Sequence, residues 1–315
     1  MTAYILRRLV LLIPVMIVVG GVVFALVHLT PGDPAAVILG DRATPEDIQR
    51  LRDQLGLNDP LPVQFVRWFG DMLRLDFGES IFLGEPVTQA LMNRVQPTLL
   101  LTLYALFIQI AIGIPAGVLA AVRYNSPLDR FFTVMAISGS AIPTFFLGIV
   151  LILVFAVRLR WLPSGGYVPP DEGMGEHLQS MILPAFALGF SAAGLLARMV
   201  RSSMLDVLRE DYVRTAWAKG LPERLIIVRH ALRNALIPAL TIIGISVGAL
   251  LGGAVVTETV FTIPGMGRLV VQSIARRDYP VIQGAIVAIA LTYVLVNLVV
   301  DVLYVYIDPR VRLSE

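Results

Sequence analysis

The sequence predicts an all-α integral membrane protein with six transmembrane helices. Its composition is the first sign. The chain is 57% hydrophobic and only 15% charged, whereas soluble domains carry about 25% charged residues. Six stretches, 9–29, 98–122, 131–157, 181–197, 236–257 and 281–300, then lack Asp, Glu, Lys and Arg. Each is close to the roughly 20 apolar residues that cross a hydrocarbon core. The runs are also continuous, without the short alternating pattern of barrel strands, and lipid admits only helices or closed barrels. There is no cysteine, so a disulfide framework and cysteine metal sites are excluded. A net charge of +2 is too small to imply a nucleic-acid partner.

The first span follows Arg7 and Arg8, as a secretory signal would. Its 21-residue run is longer than a signal core and no small-x-small cleavage site follows, so a retained helix is expected. Thr30-Pro-Gly-Asp-Pro34 stops that helix. In the long loop 30–97, Thr44 is placed as an N-cap. Pro45 sits in the first turn, with Glu46 and Asp47 on the positive end of the helix dipole. A helix over 46–56 should end at Gly56. The segment 62–75 has apolar residues at helical spacing, with Trp68 and Phe69, and suits the membrane interface or a small packed cap. The 17-residue fourth span can lengthen past Arg198 by snorkelling. The sixth reaches about Ile307 if Asp301 is tolerated near its end. No internal repeat or low-complexity linker is visible. The expected organisation is a first helix (1–29), a loop subdomain (30–97), a membrane core (98–307) whose main inside loop is 198–235, and a tail (308–315).

Basic residues orient the spans. With both termini inside, the inside segments 1–8, 123–130, 198–233 and 308–315 hold 14 Lys and Arg in 60 residues. The outside segments 30–97, 158–180 and 257–280 hold 11 in 115. The first loop carries ten acids against six arginines, and long loops translocate largely regardless of charge.

Few residues suggest chemistry. Gly244-Ile-Ser-Val-Gly248 matches the G-x-S-x-G pattern of serine hydrolases, with Ser246 as nucleophile. That needs a histidine base. His28, His177 and His230 all fall outside the later spans. Gly244, Gly248 and Gly252 instead recur every four residues, which makes one helix face for close packing. No phosphate-loop sequence surrounds Lys219, the sole lysine, so ATP hydrolysis by this chain is not expected. Metal-ligand motifs are also missing from the sequence. A charge at a helix centre costs about 2.5–3.5 kcal/mol, so polar residues near spans tend to face a bundle interior or a water path. Glu258 ends the fifth span, and Asn297 and Asp301 lie four apart on the sixth. Each fits a translocation pathway or gate, or equally an interfacial residue.

The inside loop carries the strongest signal. Asp211 can cap a short helix over 212–219, with Gly220 just past its end. Tyr212, Ala216 and Lys219 share one face, with Val213 and Trp217 beside it. Pro222 and Glu223 begin a second helix that runs through Arg233 into the fifth span. Exposed Tyr212 and Trp217 suggest a docking partner.

This segment, Asp211-Tyr-Val-Arg-Thr-Ala-Trp-Ala-Lys-Gly220, resembles the EAA loop of ABC-importer permeases. Over nearly its whole length the chain is similar to the first permease subunit of dipeptide, oligopeptide, nickel or glutathione ABC importers. The resemblance includes Tyr4-Ile-Leu-Arg-Arg-Leu9, Leu29-Thr-Pro-Gly-Asp-Pro34, Leu55-Gly-Leu57 and Arg229-His-Ala-Leu-Arg-Asn-Ala-Leu-Ile-Pro238. Glu258-Thr-Val-Phe-Thr-Ile-Pro-Gly-Met-Gly267 and the tail from Asp301 to Asp308-Pro309-Arg310 complete it. The usual Glu-Ala-Ala core is Arg214-Thr215-Ala216 here, and the closing Pro238 comes late, as in the peptide and nickel branch. The resemblance implies a type I importer permease fold in a bacterial or archaeal cytoplasmic membrane. It implies a second homologous permease, two ATPases and an extracytoplasmic substrate-binding protein as partners. ATP and Mg would be held by the ATPases, with no cofactor in this chain. The coupling residues would be Asp211, Tyr212, Arg214, Thr215, Ala216, Trp217, Lys219 and Gly220. An ATP-independent channel or carrier is the other class; the docking helix and the lack of an inverted repeat speak against it.

Overall fold

The computed structural model describes residues 2–29, 33–39, 43–54 and 56–307, with side chains omitted for 2–9, 11, 34, 37, 38, 51, 54 and 300–307. The Thr30-Pro31-Gly32 turn and the tail beyond Ile307 lie outside the described residues. The elements are helices α1 (Thr2–Leu29), α2 (Pro34–Leu39), α3 (Pro45–Gln54), α4 (Leu61–Leu73), α5 (Val87–Val122), α6 (Pro127–Ala141) and α7 (Thr144–Leu151). They continue as α8 (Met174–Val207), α9 (Asp211–Ala218), α10 (Glu223–Leu225), α11 (Arg233–Val260), α12 (Met266–Arg276) and α13 (Tyr279–Ile307). Wider π-helical turns, Ile152–Arg158 and Ile226–Leu232, follow α7 and α10.

Five helical stretches among the described residues are long and apolar enough to cross a membrane: α1, α5, α8, Glu223–Val260 and α13. The expected third span is not a straight rod. It forms as α6 and the helix Thr144–Arg158, bent by 105° at a short break, and gives a sixth crossing when counted as one broken span. Pro143 is the cause. It has no N–H to donate and pushes the residue before it out of the helical region, so Ile142 sits at φ −77, ψ 123. The fourth span is lengthened at both ends beyond its apolar run, as α8.

The chain divides into two compact units, residues 1–96 with 265–295 and residues 97–264 with 296–315. In the first, Thr44 caps α3 reciprocally: Asp47 N–H donates to its hydroxyl at 3.2 Å, and the hydroxyl donates to the Asp47 carboxylate at 2.6 Å. That hydroxyl holds the Asp47 carboxyl below its ordinary range. The described helix runs to Gln54, and Gly56 sits beyond it at φ +65. The amphipathic segment forms α4, whose Trp68 and Phe69 pack with Val19 and Val23 of α1, Met72, and Ile286 and Val287 of α13. Gly20 makes room for this, since a Cβ there would lie 3.3 Å from the Phe69 ring. A second cluster joins Val87, Leu91, Met266, Leu269, Val281 and Ala285. The buried Asp278 carboxylate accepts from the Ser80 hydroxyl at 2.5 Å and pins the turn that follows.

The second unit is built on α8, which packs on α5, α6, α7 and α11. Small residues let backbones meet. Gly189 faces the Ala105 carbonyl of α5, Gly194 faces the Ala136 carbonyl of α6, and a Cβ on Gly117 would lie 2.6 Å from the Ala197 carbonyl. No side chain fits at these crossings, which is the packing expected where apolar lipid gives no hydrophobic drive. The apolar core around them includes Leu101, Leu151, Met181, Leu188, Leu250 and Phe261. His177 lies within α8, fully buried. Its Nδ1–H donates to the Val168 carbonyl at 2.7 Å, and Nε2 accepts from the Tyr104 hydroxyl at 3.0 Å.

Candidate functional site

Between α8 and α11 the chain makes an elbow whose parts explain one another. Residue Glu210, not Asp211, takes the N-cap position of α9, and no side chain caps it. Asp211 opens the first turn, where its charge still suits the helix dipole, and lies 3.5 Å from Arg214 in an exposed pair. The Thr215 hydroxyl donates back to the Asp211 carbonyl at 2.8 Å. The helix stops in a Schellman turn: Gly220 N–H donates to Trp217 O at 2.9 Å and Leu221 N–H to Ala216 O at 3.4 Å. Gly220 sits at φ +74, as its position past the helix end demands.

The inner face of α9 is Val213 and Ala216, three residues apart; of Tyr212, Ala216 and Lys219, read as sharing one face, only Ala216 turns inward. Val213 is fully buried and Ala216 is 6% exposed. Both pack on Ile226, with Val207, Leu208 and Leu221 around them. Arg214, Thr215 and Lys219 are exposed, as are Tyr212 at 41% and Trp217 at 48%. Tyr212 is held at the rim. Its hydroxyl accepts from Asn234 Nδ2 at 2.7 Å and donates to the His230 carbonyl at 3.3 Å. So α9 is seated on the helix that becomes the fifth span, through a small apolar plug and a polar tie. Asn234, Leu221 and Ile226 escaped the sequence reading. The contact that accompanies a Schellman turn, between the residue two past the cap and the last helical turn, would have found Leu221.

The other candidates divide. Glu258 is wholly buried near the end of α11 and accepts from the Thr98 hydroxyl of α5 at 2.6 Å. It is not an interfacial head-group charge. Asn297 is half-buried on α13, while the Asp301 side chain lies outside the described residues. Gly244 is buried and Gly248 half-buried. Gly252 faces open space within this chain, and it is Gly253 whose Cβ would meet Leu188 at 2.8 Å. Ser246 lies in the middle of α11, not at the strand-to-helix turn a hydrolase nucleophile needs. Its hydroxyl donates to the Ile242 carbonyl at 2.7 Å and accepts from Gln109 Nε2 at 2.8 Å. An ion pair not foreseen in the sequence braces the end of α8 near the elbow. Arg201 grips Asp129 of α6 with two bonds, 2.7 and 2.8 Å. Their 72-residue separation hides the pair from any local pattern.

A family model for binding-protein-dependent transport system inner membrane components matches residues 113–313, and its N-terminal companion matches residues 1–102. A probable peptide ABC transporter permease protein, y4tP of Sinorhizobium fredii, is 48% identical over 99% of this chain and 100% of its own length. The glutathione transport system permease protein GsiC of Salmonella paratyphi A is 45% identical over 99% of both. The dipeptide transport system permease protein DppB of Alkalihalophilus pseudofirmus is 42% identical over 99% of this chain and 100% of its own. Among solved structures, an inward-facing MetNI methionine ABC transporter chain superposes with a TM-score of 0.58. It covers 70% of this chain and 97% of the other at 22% identity, and so speaks for the fold alone.

Proposed function

The chain belongs to the family of binding-protein-dependent transport system inner membrane components, as a membrane-spanning ABC-importer permease, and from that premise we propose that it moves peptides, or a related small solute such as glutathione or a nickel complex, together with a second homologous permease. Full-length relatives named for peptide, dipeptide and glutathione transport support the substrate class. The single observation that carries the mechanism is the seated elbow. A partner pressing on Tyr212, Arg214, Thr215, Trp217 and Lys219 cannot move α9 alone. The Val213–Ala216 plug and the Tyr212–Asn234 tie pass the displacement to the fifth span, and only the turn 208–210 separates α9 from α8.

In this reading each permease seats one ATPase subunit on its elbow, and those subunits hold ATP and Mg. The elbow and both termini face the cytoplasm, in keeping with the denser Lys and Arg of those segments. An extracytoplasmic binding protein delivers substrate at the other face. ATP binding brings the ATPases together, the two elbows move, and the path between the permeases opens outward; hydrolysis resets it. Glu258, Asn297 and Asp301 are carried forward as polar groups proposed to serve the path: Asn297 is half-buried on α13, and Glu258, wholly buried against Thr98, would hold α11 on α5. The test is isolation of the native complex from membranes in mild detergent, with mass spectrometry of proteins and bound small molecules. A second permease, ATPases and a co-purified peptide or glutathione-like solute are expected. Recovery of this chain alone, in an intact and transport-competent preparation, would sink the reading.

A further inference from the structure

The arm that joins the elbow to the fifth span is not one continuous α-helix. Between α10 and α11, Ile226–Leu232 wind as a wider π-helical turn. Such turns are rare, sit inside α-helices and are frequent at functional sites. Here the turn sets which residue seats α9. Ile226, Ala231, Ala235 and Ala239 are all fully buried, at steps of five, four and four along the chain. Ile226 fills the plug beneath Val213 and Ala216. The three alanines belong to the cluster with Leu196, Val200 and Met204 of α8. In an α-helix four residues advance a face by about 40°, and five by about 140°. A purely α-helical arm would carry Ile226 out from under α9 while the alanines stayed on α8. The wide turn takes up the extra residue.

The sequence also supplies a second occupant for the seat. Ile227 lies four residues before Ala231, so an α-helical arm would place it in the buried row. It is again isoleucine, and here it is half-buried against the alanine cluster. The plug thus has two like fillers at adjacent registers. The junction is held from the side as well. The His230 carbonyl accepts from the Tyr212 hydroxyl at 3.3 Å and from Asn234 Nδ2 at 3.5 Å. Side-chain donors of this kind serve a carbonyl where the four-residue ladder is interrupted. Tyr212 is also half-exposed on the face that α9 offers outward, so a partner on that face touches the residue that holds the wide turn. We propose that Ile226–Leu232 is a one-residue ratchet within the coupling elbow, and the proposal rests on the importer reading. With the wide turn in place, Ile226 seats α9. When the turn closes into α-helix, Ile227 takes the seat, and the arm steps by one residue against α11 without unplugging α9. A segment with two discrete arrangements converts a push into a fixed step.

The experiment uses the intact complex with its partner permease and ATPases, and the chain has no native cysteine to interfere. Ala216→Cys is paired with Ile226→Cys in one variant and with Ile227→Cys in another. Each is oxidised without nucleotide and with Mg and a non-hydrolysable ATP analogue, and the linked peptides are measured by mass spectrometry. The 216–226 disulfide should dominate without nucleotide. The analogue should move the ratio toward 216–227 by about tenfold or more. One disulfide dominating in both conditions overturns the ratchet. A second variant deletes Val228, an exposed residue of the wide turn. The deletion leaves Ile226 four residues from Ala231, so a plain α-helix keeps it in the seat and no step remains. ATPase should co-purify at the wild-type level while uptake falls to background. Wild-type uptake in the deletion variant also overturns the ratchet, and if that variant does not assemble the disulfide ratio decides alone. Absence of ATPases from the wild-type complex defeats the importer reading. ATPases present with a ratio that ignores nucleotide defeat the ratchet only.

Discussion

At Gly220 the backbone is at φ +74, where a side chain costs about 1–2 kcal/mol. Gly220→Val should therefore loosen the Schellman turn and the seat of Leu221. Ala216→Arg acts on the same plug from inside, because Ala216 is 6% exposed and no path lets a guanidinium out without lifting α9. Both variants should insert normally, since insertion depends on the spans. Both should lose most uptake and release ATPase at matched membrane levels. Wild-type uptake and wild-type ATPase retention in the two would show that α9 is only a connector. A second residue-scale case is Ser246. It has no place in catalysis, but it is the acceptor for a wholly buried Gln109 whose Oε1 has no partner. Ser246→Ala strands the amide N–H as well and should cost about 1 kcal/mol. Gln109→Leu in that background should restore thermal stability of the complex, because both partners are then apolar. If the double variant were less stable than Ser246→Ala, the pair would be misread.

Elements were legible where composition or a local turn dictates them. The spans follow from the missing charges. The capped start of α3 follows from Thr44 and Asp47, and the end of α9 from Gly220. The bend at Ile142–Pro143 was not legible, although the proline was in plain view, because the apolar run continues through it and hydropathy does not register a missing N–H. The inward face of α9 was missed for a related reason. Spacing names the residues that share a face but not which face meets Ile226. The close crossings at Gly117, Gly189 and Gly194 come from three-dimensional neighbours that no spacing within one helix reveals. The bend has a direct check, and the lack of native cysteines makes its background clean. Arg123→Cys precedes α6 and Asp171→Cys follows the bent pair, and both positions are exposed. Impermeant thiol reagents should label them from opposite sides of the membrane. Labelling from one side would make the pair a re-entrant loop and leave five crossings.

At the scale of the whole molecule, the polar groups that the structure brings together among the described residues bind helices to one another. The purified chain, freed of partner subunits, is expected to show no Mg-dependent ATP turnover. Turnover that persists in a preparation with no ATPase detectable by mass spectrometry would overturn its assignment as a transport subunit. The elbow has a further consequence. Its seat is made of Val213, Ala216, Leu221 and Ile226, while the side chains it offers outward include Tyr212, Arg214, Thr215, Trp217 and Lys219. Apart from Tyr212, which also ties the seat, these two sets do not overlap. In the proposed role, recognition could therefore drift independently of transmission. A lineage could exchange one motor for another by rewriting three or four surface letters while the buried ones stay as they are, and an engineer could do the same by grafting.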